Sequence, residues 1–253
     1  ALLFVSTTGI ATPSIDTYIA QKLHLSQHIK RTPIWGLGCA GGTGGVGRAF
    51  EWAKANPTSR ILLVTVELCG LTFIRNDMSK SNLVATSLFA DGAAAVLISG
   101  DDLPESPYKV TPRIIDSMST LWKDSYGVMG WNVTEQGLKV VFSKDIPTIV
   151  HQYMRPNVDH FLSKHDLTVD KINHLITHPG GEKVIQAYAE SLSLPRDRFG
   201  IATDILRRYG NMSSVTVLFV LDQVLKCTPN PHEYGLMTSL GPGFCSELVL
   251  LQW

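Results

Sequence analysis

The sequence predicts an α/β fold made of two related halves around a mostly parallel central sheet. Three observations carry this. Apolar runs alternate with helical stretches along the chain. The apolar runs are continuous, which marks strands covered on both faces. The second part of the chain also repeats the first at a near-constant offset. With 253 residues, 44% of them hydrophobic and 17% charged, there is material for a large core, and a disordered chain or a coiled coil is excluded.

Taken in order, Ala1–Ser6 reads as a strand and Ser14–Leu25 as a helix started by Pro13 and Ser14. Thr43–Ala55 is a second helix, stopped by Asn56-Pro57. Ile61–Glu67 and Ala93–Ser99 are strands. The acidic, Pro-containing segment from Asp101 to Tyr108 predicts a boundary, dividing the chain into residues 1–103 and 104–253. A strand over Lys109–Asp116 and a loop rich in Gly and Trp follow. Beyond them Ile146–Ser163, Glu182–Ser191 and Asn211–Lys226 read as helices, and Asn173–Thr177, Tyr234–Ser239 and Ser246–Gln252 as strands. The chain opens inside a strand without Met, which predicts that an N-terminal portion precedes Ala1.

In the first half a strand ends in Thr7-Thr8-Gly9, its helix closes on Leu23-His24-Leu25, and Gly38-Cys39 opens the next helix. In the second half a strand ends in Thr177-His178-Pro179-Gly180, its helix closes on Leu192-Ser193-Leu194, and Gly210-Asn211 opens the next. Each half then has two strands joined by a Gly-containing segment. The repeat predicts a duplication whose pseudo-two-fold axis brings Cys39 and Asn211 to one central place.

Lys+Arg and Asp+Glu number 22 each, so no basic excess points to nucleic acid or an anionic membrane. Apolar runs such as Val215–Leu221 are too short to span a bilayer. The four cysteines lack disulfide or zinc spacing, which predicts a reduced, cytoplasmic chain without a metal.

A Cys at a helix N-terminus faces the positive end of the macrodipole, so the Cys39 thiol is expected to have a lowered pKa and to act as an acyl-transfer nucleophile. A small buried residue at a tight turn is the plain alternative. His178 can pair with a thiolate as imidazolium, or donate from neutral Nε2–H to a developing oxyanion. Asn211 adds a neutral donor. Structural readings of these two are a loop histidine and an N-cap. A competing pattern is Gly42-Thr43-Gly44-Gly45-Val46-Gly47 with Glu67 20 positions on, which fits a dinucleotide fingerprint. The preceding Arg31–Gly38 contains Pro and two Gly, however, and makes a poor central strand.

Five motifs together resemble the type III polyketide synthases, the chalcone-synthase-like branch of the thiolase-fold condensing enzymes. They are Leu37-Gly38-Cys39-Ala40-Gly41-Gly42, Leu88-Phe89-Ala90-Asp91-Gly92-Ala93-Ala94, Thr177-His178-Pro179-Gly180-Gly181, Gly210-Asn211-Met212-Ser213-Ser214 and Gly241-Pro242-Gly243. The HPGG and GNMSS pair distinguishes this group from ketoacyl-ACP synthase III, the nearest alternative reading. The resemblance implies a thiolase-like fold, with duplicated βαβαβ-type halves in α-β-α-β-α layers and the first half incomplete. It implies that roughly a third of the enzyme precedes Ala1.

It implies further that Cys39 is acylated by a starter acyl-CoA, and that His178 and Asn211 hold the thioester oxygen of malonyl-CoA as it decarboxylates. The enolate then attacks the Cys39 thioester, repeatedly, before ring closure. Phe89 would be the gate between CoA tunnel and cavity, Ser213 would face substrate, and Lys183 would contact a CoA phosphate. Backbone N–H groups of Cys39 and of the Leu240-Gly241 region would bind the acyl oxyanion. Cys69, Thr12, Trp131, Val140 and Leu240 differ from the plant enzymes at pocket positions, and Cys69 and Trp131 are similar to bacterial alkylpyrone and alkylresorcinol synthases. The implied starter is a fatty acyl-CoA, the substrates are coenzyme A thioesters with no further cofactor, and the assembly is a homodimer.

Overall fold

The computed structural model describes residues 1–104 and 111–253. The expected boundary segment and the start of the strand expected over Lys109–Asp116 fall partly on residues 105–110, outside the described residues.

The first half runs β1 (Leu2–Val5), α1 (Ile15–Lys22), β2 (Arg31–Ile34), α2 (Gly41–Ala55), β3 (Arg60–Glu67), α3 (Lys80–Leu88) and β4 (Gly92–Ser99). The second runs β5 (Arg113–Leu121), β6 (Met129–Thr134), β7 (Gly137–Phe142), α4 (Ile146–Ser163), β8 (His174–Thr177), α5 (Glu182–Leu192), α6 (Gly200–Tyr209), α7 (Thr216–Lys226), β9 (Tyr234–Gly241) and β10 (Cys245–Gln252). Among the described residues no helix is long and apolar enough to cross a membrane.

The strands form two four-stranded sheets, ordered β2-β1-β3-β4 and β5-β10-β9-β8, and the hairpin β6-β7. The expectation of one mostly parallel sheet is corrected here. β1 is parallel to β3 and β3 antiparallel to β4, while β8 is parallel to β9 and β9 antiparallel to β10. In the second half β9 and β10 are joined by a short turn and so pair antiparallel, whereas in the first half the chain passes through α3 before β4 returns antiparallel to β3. The same run of one parallel and one antiparallel pairing in both sheets is the duplication seen in the sequence.

Burial explains the continuous apolar runs. In β1, Leu3 and Val5 face a core with α2 and α7, whereas Leu2 and Phe4 pack towards α1. In β10, Val249 and Leu251 join that same α2–α7 core, and Leu248 and Leu250 face α4 and α5. The order of layers is therefore α1, first sheet, α2 with α7, second sheet, α4 with α5. Each strand of this kind is dry on both faces, which is why it shows no period of two.

The middle layer decides the dinucleotide question. The glycines at the start of α2 are buried against protein, leaving no face for a pyrophosphate. A Cβ on Gly42 would lie 2.1 Å from the Ser214 carbonyl oxygen, and one on Gly45 2.8 Å from Leu63. They are small so that α2 can touch the turn before α7 and the first sheet. Nor is Glu67 free for a ribose: it is buried at the end of β3. The segment before α2 holds the edge strand β2, where Pro33 costs no central ladder bond.

Candidate active site

The pseudo-two-fold axis brings two chain segments together. Cys39 lies in a short 3-10 turn, Gly38–Ala40, that leads into α2. Asn211 precedes the matching turn, Ser213–Val215, that leads into α7. The helix expected from Asn211 thus begins five residues later, at Thr216. Asn211 is instead extended and bridged to Phe89: its N–H donates to the Leu88 carbonyl at 2.9 Å, and the Ala90 N–H donates to its carbonyl at 2.9 Å. Gly210 has φ +72°, and a Cβ there would lie 3.0 Å from the Leu88 oxygen, so glycine is required at this crossing.

The Asn211 side chain is fixed at both ends. Its Nδ2 donates to the Gly180 carbonyl at 3.1 Å, and its Oδ1 accepts from the Ser213 N–H at 2.8 Å. Nδ2 has a second hydrogen to offer. Ser213 sits at φ +50°, a left-handed conformation unusual for serine, in a buried turn. The structure thus places Ser213 where its hydroxyl and the Asn211 amide both face the Cys39 sulfur.

Burial reverses the expectation for Cys39. Desolvation pushes its thiol up to about 11, the Ser213 and Asn211 side chains pull it part of the way back, and the Glu67 carboxylate raises it. The helix end is real, but a fully buried thiolate loses more from water than it gains from the dipole. Alkylation of Cys39 by iodoacetamide is accordingly expected to accelerate continuously from pH 7 upward, with an apparent pKa of about 11. A plateau reached near neutrality would contradict this environment.

His178 follows β8, its N–H donating to the Thr238 carbonyl at 2.8 Å. Burial alone pushes the imidazole down to about 3, so the ring is neutral at physiological pH. Among the described residues neither ring nitrogen has a hydrogen-bond partner. A neutral ring can donate from one nitrogen to a substrate oxygen and accept at the other. The imidazolium–thiolate pair considered from the sequence is therefore not the resting state.

Glu67 is a central residue that the sequence reading assigned only to the dinucleotide alternative. Its carboxylate accepts from Thr8 Oγ1 at 2.5 Å, Ser214 Oγ at 2.6 Å, the Thr8 N–H at 3.1 Å and the Thr7 N–H at 3.2 Å. Burial raises its pKa and these bonds lower it in part. Thr7 and Thr8 come from the end of β1 and Ser214 from the GNMSS turn, so Glu67 ties the two halves beneath Cys39. Its only sequence signal was a charge closing an apolar strand.

The remaining predicted residues separate into three groups. Phe89, Cys69 and Trp131 line one cavity of about 90 Å³ together with Thr72, Ala85 and Thr86. Phe89 lies 5.6 Å from Trp131 and 5.8 Å from Phe142, the latter nearly parallel. Both partners belong to the β6–β7 hairpin, where the sequence predicted a loop. Leu240 is instead a core residue packed with α4 and α5, and Val140 is buried within the hairpin. Lys183, on the first turn of α5, and Thr12 are exposed. Gly241 lies against the nucleophile turn: a Cβ there would meet Ala40 Cβ at 2.5 Å and the Leu37 oxygen at 2.6 Å.

A buried thiol, a neutral imidazole and an amide, contributed by two stacked thiolase-like halves, define a condensing enzyme of the acyltransferase class. The comparisons with known proteins give the family. Residues 1–102 match the N-terminal domain, and residues 113–253 the C-terminal domain, of chalcone and stilbene synthases. The chain belongs to that family, and it is a type III polyketide synthase by its relatives. It is 49% identical to a putative chalcone synthase of Bacillus subtilis (strain 168), all of this chain spanning 70% of that protein. It is 38% identical to 1,3,6,8-tetrahydroxynaphthalene synthase of Streptomyces peucetius subsp. caesius, of which it spans 67%. The crystal structure of the tetrahydroxynaphthalene synthase of Streptomyces coelicolor A3(2) shares the fold, with a TM-score of 0.93 at 24% identity over all of this chain and 71% of that one. The type III polyketide synthase domain of Steely1 from Dictyostelium superposes with a TM-score of 0.91 at 28% identity over 99% of this chain and 69% of its own.

Proposed function

We propose that Cys39 is the nucleophile that receives an acyl group from an acyl-CoA, and that His178 and Asn211 hold the thioester oxygen of malonyl-CoA. The supporting observation is the meeting of the Cys39 and Asn211 turns, with His178 neutral and unpaired beside Gly180. The Cys39 sulfur attacks the starter carbonyl, CoA leaves as the thiol, and backbone N–H groups of Cys39 and the Leu240-Gly241 region hold the oxyanion. Loss of CO₂ from malonyl-CoA puts an electron pair on the enolate, which two neutral donors stabilise. The enolate carbon then attacks the Cys39 thioester and frees the sulfur. Phe89 keeps water from the carboxylate and favours its loss.

The starter is a fatty acyl-CoA, extended by successive condensations to an alkylpyrone or a resorcinol-type product. The cavity beside Phe89, walled by Phe73 and Trp131 with Cys69 as a small wall residue, supports this choice. Lys183 serves as a contact for a CoA phosphate, and the working unit is a homodimer of a cytoplasmic enzyme without metal or redox cofactor. The likeness to tetrahydroxynaphthalene synthase favours a second reading, in which the product is a polyhydroxynaphthalene. Product mass after incubation with dodecanoyl-CoA and malonyl-CoA tests both. Alkyl tri- or tetraketides are expected. A single-condensation product, or a naphthalene formed from malonyl-CoA alone with the acyl-CoA unused, overturns the fatty-acyl reading.

A further inference from the structure

The cavity beside Phe89 has two walls from different halves of the chain. One is the turn Cys69–Thr72 with Phe73 and the α3 residues Asn82, Ala85 and Thr86; the other is Trp131 on β6. A volume of about 90 Å³ is some three water molecules' worth, less than the ~150 Å³ in which an engineered cavity binds benzene. With its walls at this spacing it accepts only a few carbons, and a longer chain requires the walls to part.

Few polar contacts bind these walls. Asp77 is locked to the start of α3: its Oδ1 accepts from the Ser79 N–H at 2.9 Å, and its carbonyl accepts from Asn82 Nδ2 at 2.7 Å. Ser79 in turn caps the helix by accepting from the Asn82 N–H. The other carboxylate oxygen of Asp77 lies 3.2 Å from Lys139 Nζ on β7, an ion contact outside hydrogen-bond geometry. Lys139 is paired across the hairpin with Asn132, next to the Trp131–Val140 pair. Among the described residues this is the one ion pair that joins the α3 wall to the hairpin wall. Its carboxylate is 11% exposed and its ammonium 50% exposed, so water and salt reach it from one side.

We propose that the Asp77–Lys139 ion pair is a latch between the two walls and, as a pair of specificity-determining residues, limits the length of acyl chain that the cavity accepts. This rests on the acyl-CoA reading above. Neither side chain touches a reacting atom; both act by fixing the distance from α3 to Trp131. Ion pairs of this exposure shift an equilibrium by roughly two- to fivefold and weaken with ionic strength.

The test compares kcat/KM for dodecanoyl-CoA with that for butanoyl-CoA in the wild type, Lys139→Met, Asp77→Asn and the double variant. Asp77→Asn keeps an oxygen for the Ser79 N–H and removes only the charge. The long-to-short ratio is expected to rise about two- to fivefold in each single variant and no further in the double. In the wild type alone, added KCl raises the ratio towards the variants' value, an arm that needs no mutant to fold. An unchanged ratio, an equal loss for both substrates, or additive effects in the double variant overturn the latch while leaving the acyl-CoA reading intact. Failure of both acyl-CoAs to acylate wild-type Cys39 overturns that reading and the latch with it.

Discussion

Asn211→Ala is expected to slow decarboxylation of malonyl-CoA by roughly 10²–10³-fold, the usual effect of removing one donor from an oxyanion site. The donor is Asn211 Nδ2, whose second hydrogen is the one left after the bond to Gly180. Transfer of the starter to Cys39 needs the thiol and its own oxyanion donors, and so falls much less. Release of CO₂ from malonyl-CoA, measured beside acylation of Cys39, separates the two half-reactions. The melting temperature controls for the Ser213 N–H and Gly180 carbonyl that lose their partner. A variant that decarboxylates like the wild type would remove Asn211 from the chemistry.

The second large effect is on acid stability. Burial holds His178 at about 3, against a free value of 6.5. Between those values the unfolded chain binds a proton that the folded chain refuses, so stability falls as pH falls from about 6.5 towards 3. By about pH 4.5 this one group removes on the order of 2–3 kcal/mol. Glu67, raised by burial, acts in the opposite sense and is common to the proteins compared. His178→Asn should therefore lose less stability than the wild type between neutral pH and pH 4.5, in urea titrations at both. Equal losses would mean that His178 takes up a proton inside the fold.

What the sequence showed depended on how evenly each element is buried. Strands dry on both faces, such as β1 and β10, stood out as apolar runs, and α4 was legible over its full Ile146–Ser163 length. The half-exposed elements did not. α3 exposes Leu83 and Val84 while burying Asn82, so its apolar pattern contradicts its packing. β2 carries Pro33 at a sheet edge, and the glycines and tryptophan of the β6–β7 hairpin mimic a loop. The order of motifs marked Cys39, His178 and Asn211 as the candidate site. It could not locate Glu67, whose partners come from two distant segments, nor the sign of the Cys39 shift, because desolvation depends on what the folded chain stacks above a residue.

The central claim is that the turn bearing Cys39 is the acyl-accepting half of one shared site. Intact-protein mass after incubation with dodecanoyl-CoA, without malonyl-CoA, tests it most directly. One dodecanoyl group per chain is expected on the wild type, mapped to the peptide containing Cys39 and absent from Cys39→Ala. An acyl group that persists in Cys39→Ala, or a wild type that acquires none, would contradict the account.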